Sequence, residues 1–408
     1  MILSHKIEIT PNKEQESQLI KSCGCARFAY NWGLSKWTQM YKEWKGNNTL
    51  PKPNANLIKK EFNKIKETEF PWIYESPKDA NQQVFSYLNK SFNSFFKKKS
   101  KYPRFKKKGL RDSFYLSNDK FKINDTHIKV PLIGEIKLTE PLRFTGKIQS
   151  CVISRQADTW FASISVDIEN HNKQRKSNNT ISIDFGIKTL VTDQDGNQIH
   201  SPKPLKNNLK KLKRIQRSLS RKKKNSKNRE KQKIKVAKLH KKISDIRKDF
   251  THKLTTQLCN ENQIIIIEDL CVKSWNKMYG KSASDGCVGE IIRQLTYKKD
   301  IFNNILHKID RWYPSSKTCS NCGYIKNDLH LNNRTYKCNI CGFQLNRDHN
   351  AAKNIYTVGL TEIYACGYQT SGVNNTNIKS GSGNKTLDNV KSDDIISSCD
   401  NQISHLYT

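Results

Sequence analysis

Acidic residues are the scarce component of this 408-residue chain: 37 Asp and Glu stand against 73 Lys and Arg, a formal net charge of +36. That imbalance exceeds what solubility needs and points to a polyanionic partner, because each Lys or Arg that meets a phosphate releases a condensed counterion. Long apolar runs are missing as well. No stretch of about 18 apolar residues occurs, which argues against a membrane-spanning helix. Met1-Ile2-Leu3-Ser4-His5-Lys6 lacks the apolar core of a signal peptide. The chain is therefore expected in the cytoplasm, associated with the nucleoid of a prokaryote. A disulfide framework is not expected there. Of the twelve cysteines, Cys23, Cys25, Cys151, Cys259, Cys271 and Cys287 lie among apolar neighbours and read as small core residues.

The periodicity changes along the chain. Residues 1–9 alternate (Ile2, Ile7, Ile9) and suit a strand, after which Thr10-Pro11 reads as a helix N-cap with proline at the first helical position. Helical spacing then runs to about residue 100, from Leu19, Cys23 and Ala26 to Val84, Leu88, Phe92, Phe95 and Phe96. A basic stretch with Tyr102, Pro103 and Phe105 follows, and beyond it the pattern is of strands, clearest at Trp160, Ala162, Ile164, Val166 and Ile168. The strands suggest a small antiparallel barrel, with the helical segment inserted after its first strand. Residues 169–178 are polar and read as a linker. A new core opens at Thr180-Ile-Ser-Ile-Asp184. Two helical stripes follow, one from Leu205 to Leu219 and one from Val236 to Leu258. They predict an antiparallel hairpin whose outer faces carry Lys210, Lys211, Arg214 and Lys241. Only Glu230, Asp245 and Asp249 offset the positive charge between Lys203 and Lys253, which favours phosphate contact over a merely solvated face.

Two constellations carry chemistry. Cys319-Ser-Asn-Cys322 and Cys338-Asn-Ile-Cys341 are separated by fifteen residues, and each pair is followed by glycine. Four thiolates at that spacing suit a structural Zn²⁺. The second constellation is acidic. Asp184 ends an apolar strand, Glu268 ends the run Ile264-Ile265-Ile266-Ile267, and Asp348 opens a helix at Asn346-Arg347-Asp348-His349-Asn350. A run apolar throughout fits a strand covered on both faces. Carboxylates brought together at such element ends can hold two Mg²⁺ ions for phosphodiester hydrolysis. Taken singly, Asp184 could be a turn residue and Asp348 a helix cap. Asp184-Phe185-Gly186 copies the kinase metal-binding tripeptide, but no glycine-rich loop precedes it.

These motifs, in this order, resemble the TnpB family of transposon-encoded RNA-guided DNA endonucleases, which are related to type V CRISPR effectors. The resemblance covers roughly residues 1–365. It rests on Gly24-Cys-Ala-Arg27-Phe28-Ala-Tyr30-Asn31, Tyr102-Pro103-Arg104-Phe105, Ile183-Asp184-Phe-Gly186-Ile-Lys188, Ile267-Glu268-Asp-Leu270, Gln294-Leu295-x-Tyr297-Lys298, and the ribbon with Asn346-Arg347-Asp348-His-Asn350-Ala-Ala. It implies a mixed α/β and α+β multidomain chain. Residues 1–9 and 101–172 would form a wedge β-barrel of oligonucleotide-binding type, with a helical recognition insertion at 10–100. An RNase H-like (RuvC-like) nuclease domain would occupy 179–310 and 345–366, carrying the basic hairpin 203–258 and interrupted by a zinc ribbon at 311–344. Residues 367–408 would be a disordered tail. The resemblance also implies Asp184, Glu268 and Asp348 as catalytic Mg²⁺ ligands, and a guide RNA and double-stranded target DNA as partners. Lys78, Gln82, Arg104, Ser117 and Asn118 fall near positions that meet nucleic acid or the short motif flanking the target. The alternatives are an unguided transposase or structure-specific nuclease, and a zinc-ribbon DNA-binding regulator that does not cut. Retention of all three acids argues against the regulator.

Overall fold

The computed structural model describes residues 1–109, 111–169, 173–330 and 332–367. The chain divides into two compact units, Met1–His171 with Lys223–Lys241, and Asn172–Lys222 with Lys242–Thr408. The expected tail at 367–408 lies outside the described residues from 368 onward. No helix among the described residues is long and apolar enough to cross a membrane.

The first unit runs β1 (Ile2–Thr10), α1 (Lys13–Gly46), α2 (Ala55–Glu69), α3 (Lys78–Phe96), β2 (Ser113–Ser117), β3 (Lys122–Ile123), β4 (His127–Val130), β5 (Gly134–Leu138), β6 (Lys147–Gln156) and β7 (Thr159–Asp167). Its seven strands form one antiparallel sheet in the order β2-β6-β7-β1-β5-β4-β3. No pairing among the described residues joins β2 to β3, so backbone hydrogen bonds do not close it into the expected barrel. The helix start also differs from expectation. Thr10 ends the strand, and Asn12 is the cap: its side chain accepts from the Gln15 amide while the Gln15 side chain accepts from the Asn12 amide. That reciprocal pair satisfies donors the first turn would otherwise leave open, which proline at position 11 cannot do. Leu19, Cys23, Ala26, Tyr30, Leu34 and Trp37 make the buried stripe of α1, and Trp37 stacks on Phe92 of α3 with centroids 4.3 Å apart. Residues from the helices and from the sheet share one core.

The second unit contains β8 (Asn179–Phe185), β9 (Val191–Asp193), β10 (Gln198–Ile199), α4 (Pro204–Ser220), part of α5 (Lys227–Glu261), β11 (Asn262–Glu268), α6 (Val272–Tyr279), α7 (Lys281–Gly286), α8 (Val288–Phe302), β12 (Ile305–Ile309), β13 (Thr335–Lys337), β14 (Gln344–Asn346) and α9 (Arg347–Ala365). Its five-stranded sheet has the order β10-β9-β8-β11-β12. The first three strands are antiparallel, and β11 joins β8 and β12 in parallel. Ile264 to Ile267 are all buried, as a strand covered on both faces requires. Helix α9 lies against this sheet so closely that a Cβ at Gly359 would stand 2.3 Å from Cγ2 of Ile266. Only glycine allows that approach.

Three local expectations are corrected. The polar stretch after residue 172 is not a free linker: the amides of Lys173 and Lys176 donate to the carbonyls of Ile301 and Asn260, and Arg175 Nη1 donates to that of Phe302. Cys271 is exposed and Cys287 half-buried, so neither is a core residue; Cys271 stands at the start of α6 and Cys287 between α7 and α8. The two basic helices form, but residues 223–241 group with the first unit. There Lys238 pairs with Asp158 at 2.5 Å, and Lys241 is half-buried with Nζ 5.3 Å from the Phe161 ring centroid.

Candidate active site and metal centre

Two of the three predicted acids lie at one end of the five-stranded sheet, and Asp184 stands near enough to Glu268 and Asp348 to feel both charges. Ile183 of β8 pairs in parallel register with Ile267 of β11, so the next residues, Asp184 one place before the end of β8 and Glu268 at the end of β11, stand at the same level. Both are half-buried. Asp348 sits in the first turn of α9, where Asn346 caps the helix by accepting from the amides of Asp348 (2.9 Å) and His349 (3.2 Å). The cap fixes the direction of the first turn and so the placement of Asp348. His349 is tied to the turn just after β9 by Nε2 3.0 Å from the Gln194 carbonyl, and Ser182 Oγ donates to the Ala352 carbonyl at 2.8 Å.

Electrostatics registers this proximity. Burial, then the charges of Asp348 and Glu268, push the Asp184 carboxyl up to about 8, while the Arg347 guanidinium opposes the shift. Burial, then Asp269 and Asp310, push Glu268 up to about 7. Like carboxylates in a partly desolvated site resist shared ionisation unless a cation joins them. Carboxylates offer the hard oxygen atoms that divalent ions such as Mg²⁺ take, although among the described residues only the four cysteines of the ribbon already stand within ligand distance of one another.

Asp310 is an acid near the site that the sequence motifs do not single out. It follows Ile309, the register partner of Glu268, and the run Ile305-Leu-His-Lys-Ile309 ends in an acid just as the other two strands do. That repeated strand-then-acid pattern is the signal that could have found it. Beside it, Arg311 donates to Asp269. A cavity of about 580 Å³ in this unit opens instead around Asn179, Asp193, Gln194 and Asn262, at the start of β8 and away from Asp184. Asp184, Glu268 and Asp348 do not line it.

The four cysteines form the other cluster. Cys319, Cys322, Cys338 and Cys341 bring their sulfur atoms within 4.8 Å of one another, so they could hold a metal ion such as zinc. Gly323 and Gly342 have φ of +77° and +71°, the left-handed turn that closes each knuckle. The Phe343 amide, and then the Asn321 side chain, draw the Cys341 thiol down to about 6. Tyr336 of β13 is fully buried behind the cluster. The ribbon is fastened to α9 by two buried amides: Asn350 Nδ2 and Asn354 Nδ2 both donate to the Thr318 carbonyl at 2.7 Å, and the Ser320 amide donates to Asn350 Oδ1 at 3.0 Å. Arg347 adds a bond to the His330 carbonyl. The cysteine cluster and Asp348 thus share one helix.

The basic positions are more mixed. Lys210, Lys211 and Arg214 are exposed along α4, and Lys78, Arg104 and Asn118 are exposed in the first unit. Gln82 is not available to a ligand: it is 9% exposed, on the side of α3 that faces α2, and its Nε2 donates to Asn63 Oδ1 at 2.9 Å. Ser117 is committed too, its amide and hydroxyl donating to Asp79 at 2.7 and 2.5 Å. That tie sets the end of β2 beside the start of α3, between the exposed Lys78 and Asn118. Gln294 and Lys298 are buried and serve to fasten α8 to α5: Lys298 Nζ donates to the hydroxyls of Thr255 and Thr256, both at 2.7 Å.

Known proteins place this arrangement. Residues 163–278 match a family model described as "Probable transposase", 289–355 one described as "Cas12f1-like, TNB domain", and 1–46 a "Helix-turn-helix domain". In this chain those first residues form β1 and a single 34-residue helix. A Streptomyces pristinaespiralis protein named "Putative RNA-guided DNA endonuclease" is 35% identical over 369 residues, covering 89% of this chain and 90% of its own. The chain belongs to the TnpB family. Another relative, from Escherichia coli and named "Putative RNA-guided DNA endonuclease InsQ", is 30% identical, covering 89% of this chain and 93% of its own. A solved structure titled "Cryo-EM structure of the Cas12f1-sgRNA-target DNA complex" shares the fold at a TM-score of 0.52 and 17% identity, covering 84% of this chain and 82% of that one.

Proposed function

We propose that this TnpB-family chain is an RNA-guided endonuclease that hydrolyses double-stranded DNA beside a short flanking motif. The carrying observation is the level pair Asp184 and Glu268, joined by Asp348 from the first turn of α9. The five-strand order, three antiparallel strands with two added in parallel, supports an RNase H-like, RuvC-like nuclease core. The three acids would hold two Mg²⁺ ions, which when bound supply an activated water and stabilise the leaving oxygen. The protein's own contribution is placement. Strand register holds two carboxylates level, the Asn346 cap aims the third, and Arg347 offsets part of their mutual repulsion.

A zinc ion on the four cysteines would be structural, since four thiolates leave no open position. Guidance is supported by the printed names of the relatives and by the charge of +36, which suits a large nucleic-acid complex. In guided effectors base pairing reads sequence while protein reads backbone shape and a flanking motif. Arg104 and the α4 face carrying Lys210, Lys211 and Arg214 are the positions offered to phosphate. Lys78 and Asn118 are the positions offered to the flanking motif. The wedge-and-insertion organisation of the first unit and the nuclease-with-ribbon organisation of the second belong to the same reading. It is tested with the protein carrying its copurified RNA, that RNA having been sequenced. The loaded protein should cut a duplex matching the RNA and spare an unmatched one. Equal cutting after the RNA is removed would establish the unguided nuclease instead.

A further inference from the structure

Trp312 is the most exposed large apolar side chain among the described residues, at 84%, whereas Trp37 and Trp160 are buried at 4% and 2%. Single exposed apolar residues are common and need no explanation by themselves. Here the surroundings are unusual. The Trp312 amide donates to Asp310 Oδ1 at 2.7 Å, the Tyr313 amide donates to the Asp310 carbonyl at 3.2 Å, and Arg311 is held by Asp269. Tyr313 packs against the cluster of Ile264, Ile266, Ile309 and Ile355. Both neighbours of Trp312 are thus anchored, and the indole between them is presented to solvent on a fixed backbone.

Its position is also defined. Trp312 is three residues beyond Ile309, the register partner of Glu268, so its Cα lies at most about 16 Å from that of Glu268, given 3.8 Å per residue and roughly 4.8 Å between strands. Asp310 is near enough to Glu268 to raise its pKa. The indole therefore stands a few nucleotides from the place where the acids meet a phosphodiester.

We propose that Trp312 is a stacking platform for an unpaired base of the DNA strand being cut, and that it fixes which phosphate reaches the acids. The inference rests on the nuclease reading above. An indole face suits any base and tolerates sequence variation, and it requires the strand to be out of the duplex at that point, because within a duplex both faces of a base are covered by its stacked neighbours.

The test uses the RNA-loaded protein and a synthetic duplex matching its sequenced RNA, with a single abasic residue moved along the cut strand. Wild-type cutting of the intact duplex is the control: its absence would refute the nuclease reading and not bear on Trp312 alone. With that control positive, one abasic position should slow wild type by roughly 5- to 150-fold, the loss of one base–aromatic stack. Trp312→Ala should slow cutting of intact DNA by a similar factor and lose its sensitivity to that position. Trp312→Phe should retain part of both. Guide binding, target affinity and thermal midpoint should be unchanged in Trp312→Ala. Trp312→Leu, which keeps apolar bulk without a π face, should behave as the alanine variant if stacking is the role. Undiminished cutting by Trp312→Ala, an unchanged abasic profile in that variant, or a response only to base removal from the RNA would each overturn the proposal.

Discussion

Asp184 and Glu268 stand level because each is the residue after a register pair, Ile183 with Ile267, on adjacent parallel strands. Parallel pairing brings like ends of the chain together, about 4.8 Å apart, whereas antiparallel pairing would send the two acids to opposite edges. A one-residue slip of β11 would turn Glu268 to the other face of the sheet. The buried isoleucines on both sides of the slip make it costly. The same packing that stabilises the strand therefore fixes the placement of the two acids.

Holding these acids has a cost that pH should reveal. Asp184 and Glu268 have folded-state pKa values raised to about 8 and about 7. The native state consequently binds more protons than the unfolded chain above the ordinary carboxylate range, and stability falls as pH rises from about 4 to about 8. The metal-free protein should lose thermal stability over that window, and Mg²⁺ should restore it at the upper end. Asp184→Asn should raise the midpoint of the metal-free protein at pH 8 and flatten its pH dependence. A midpoint that rises with pH through this window, unchanged by the substitution, would contradict the assignment.

The ribbon should act on the nuclease through α9. About one zinc per chain is expected, held by Cys319, Cys322, Cys338 and Cys341. Cys319→Ser/Cys322→Ser should lose that zinc and reduce cutting. Asn350→Ala keeps every cysteine and leaves the Thr318 carbonyl to Asn354, but it removes the acceptor of the Ser320 amide, at a cost of about 1–3 kcal/mol. Its zinc content should stay near one while its thermal midpoint and cutting rate fall. Full activity in a zinc-free protein would separate the ribbon from catalysis.

The sequence made some of this legible and hid the rest for identifiable reasons. The cysteine knuckles and the four-isoleucine strand could be read because spacing and composition there admit few alternatives. Asp184 and Asp348 are individually ambiguous and gain meaning from chain order. Gln82 was offered to nucleic acid on the family resemblance, which locates a residue along the chain but does not show that Asn63 on a neighbouring helix will bury it. The Thr10-Pro11 cap competed with Asn12, and the reciprocal bond to Gln15 decided the contest. The closed barrel was inferred from alternation, which specifies strands but not whether the last meets the first.

Phosphate binding by α4 should appear in salt dependence. Changing Lys210, Lys211 and Arg214 to Gln should lower the slope of log K against log salt by about 0.7–0.9 for each phosphate that these side chains neutralise. Target preference should stay intact, because groups that meet only phosphate do not read bases. Lys241→Gln should change the slope less, since its ammonium already lies over Phe161. An unchanged slope in the triple variant would mean that this face only meets water.

The most direct test of the account compares cutting and binding in Asp184→Ala, Glu268→Gln and Asp348→Ala, each loaded with RNA and given a matched duplex in Mg²⁺. Each substitution removes a charge or a ligand from one small site, while affinity is spread over a basic surface. The account predicts cutting reduced by more than about a hundredfold, beyond the effect of losing a ligand's supporting partner, with RNA and target affinity close to wild type in all three. Cutting at the wild-type rate by any of them, with the protein folded and loaded, would contradict it.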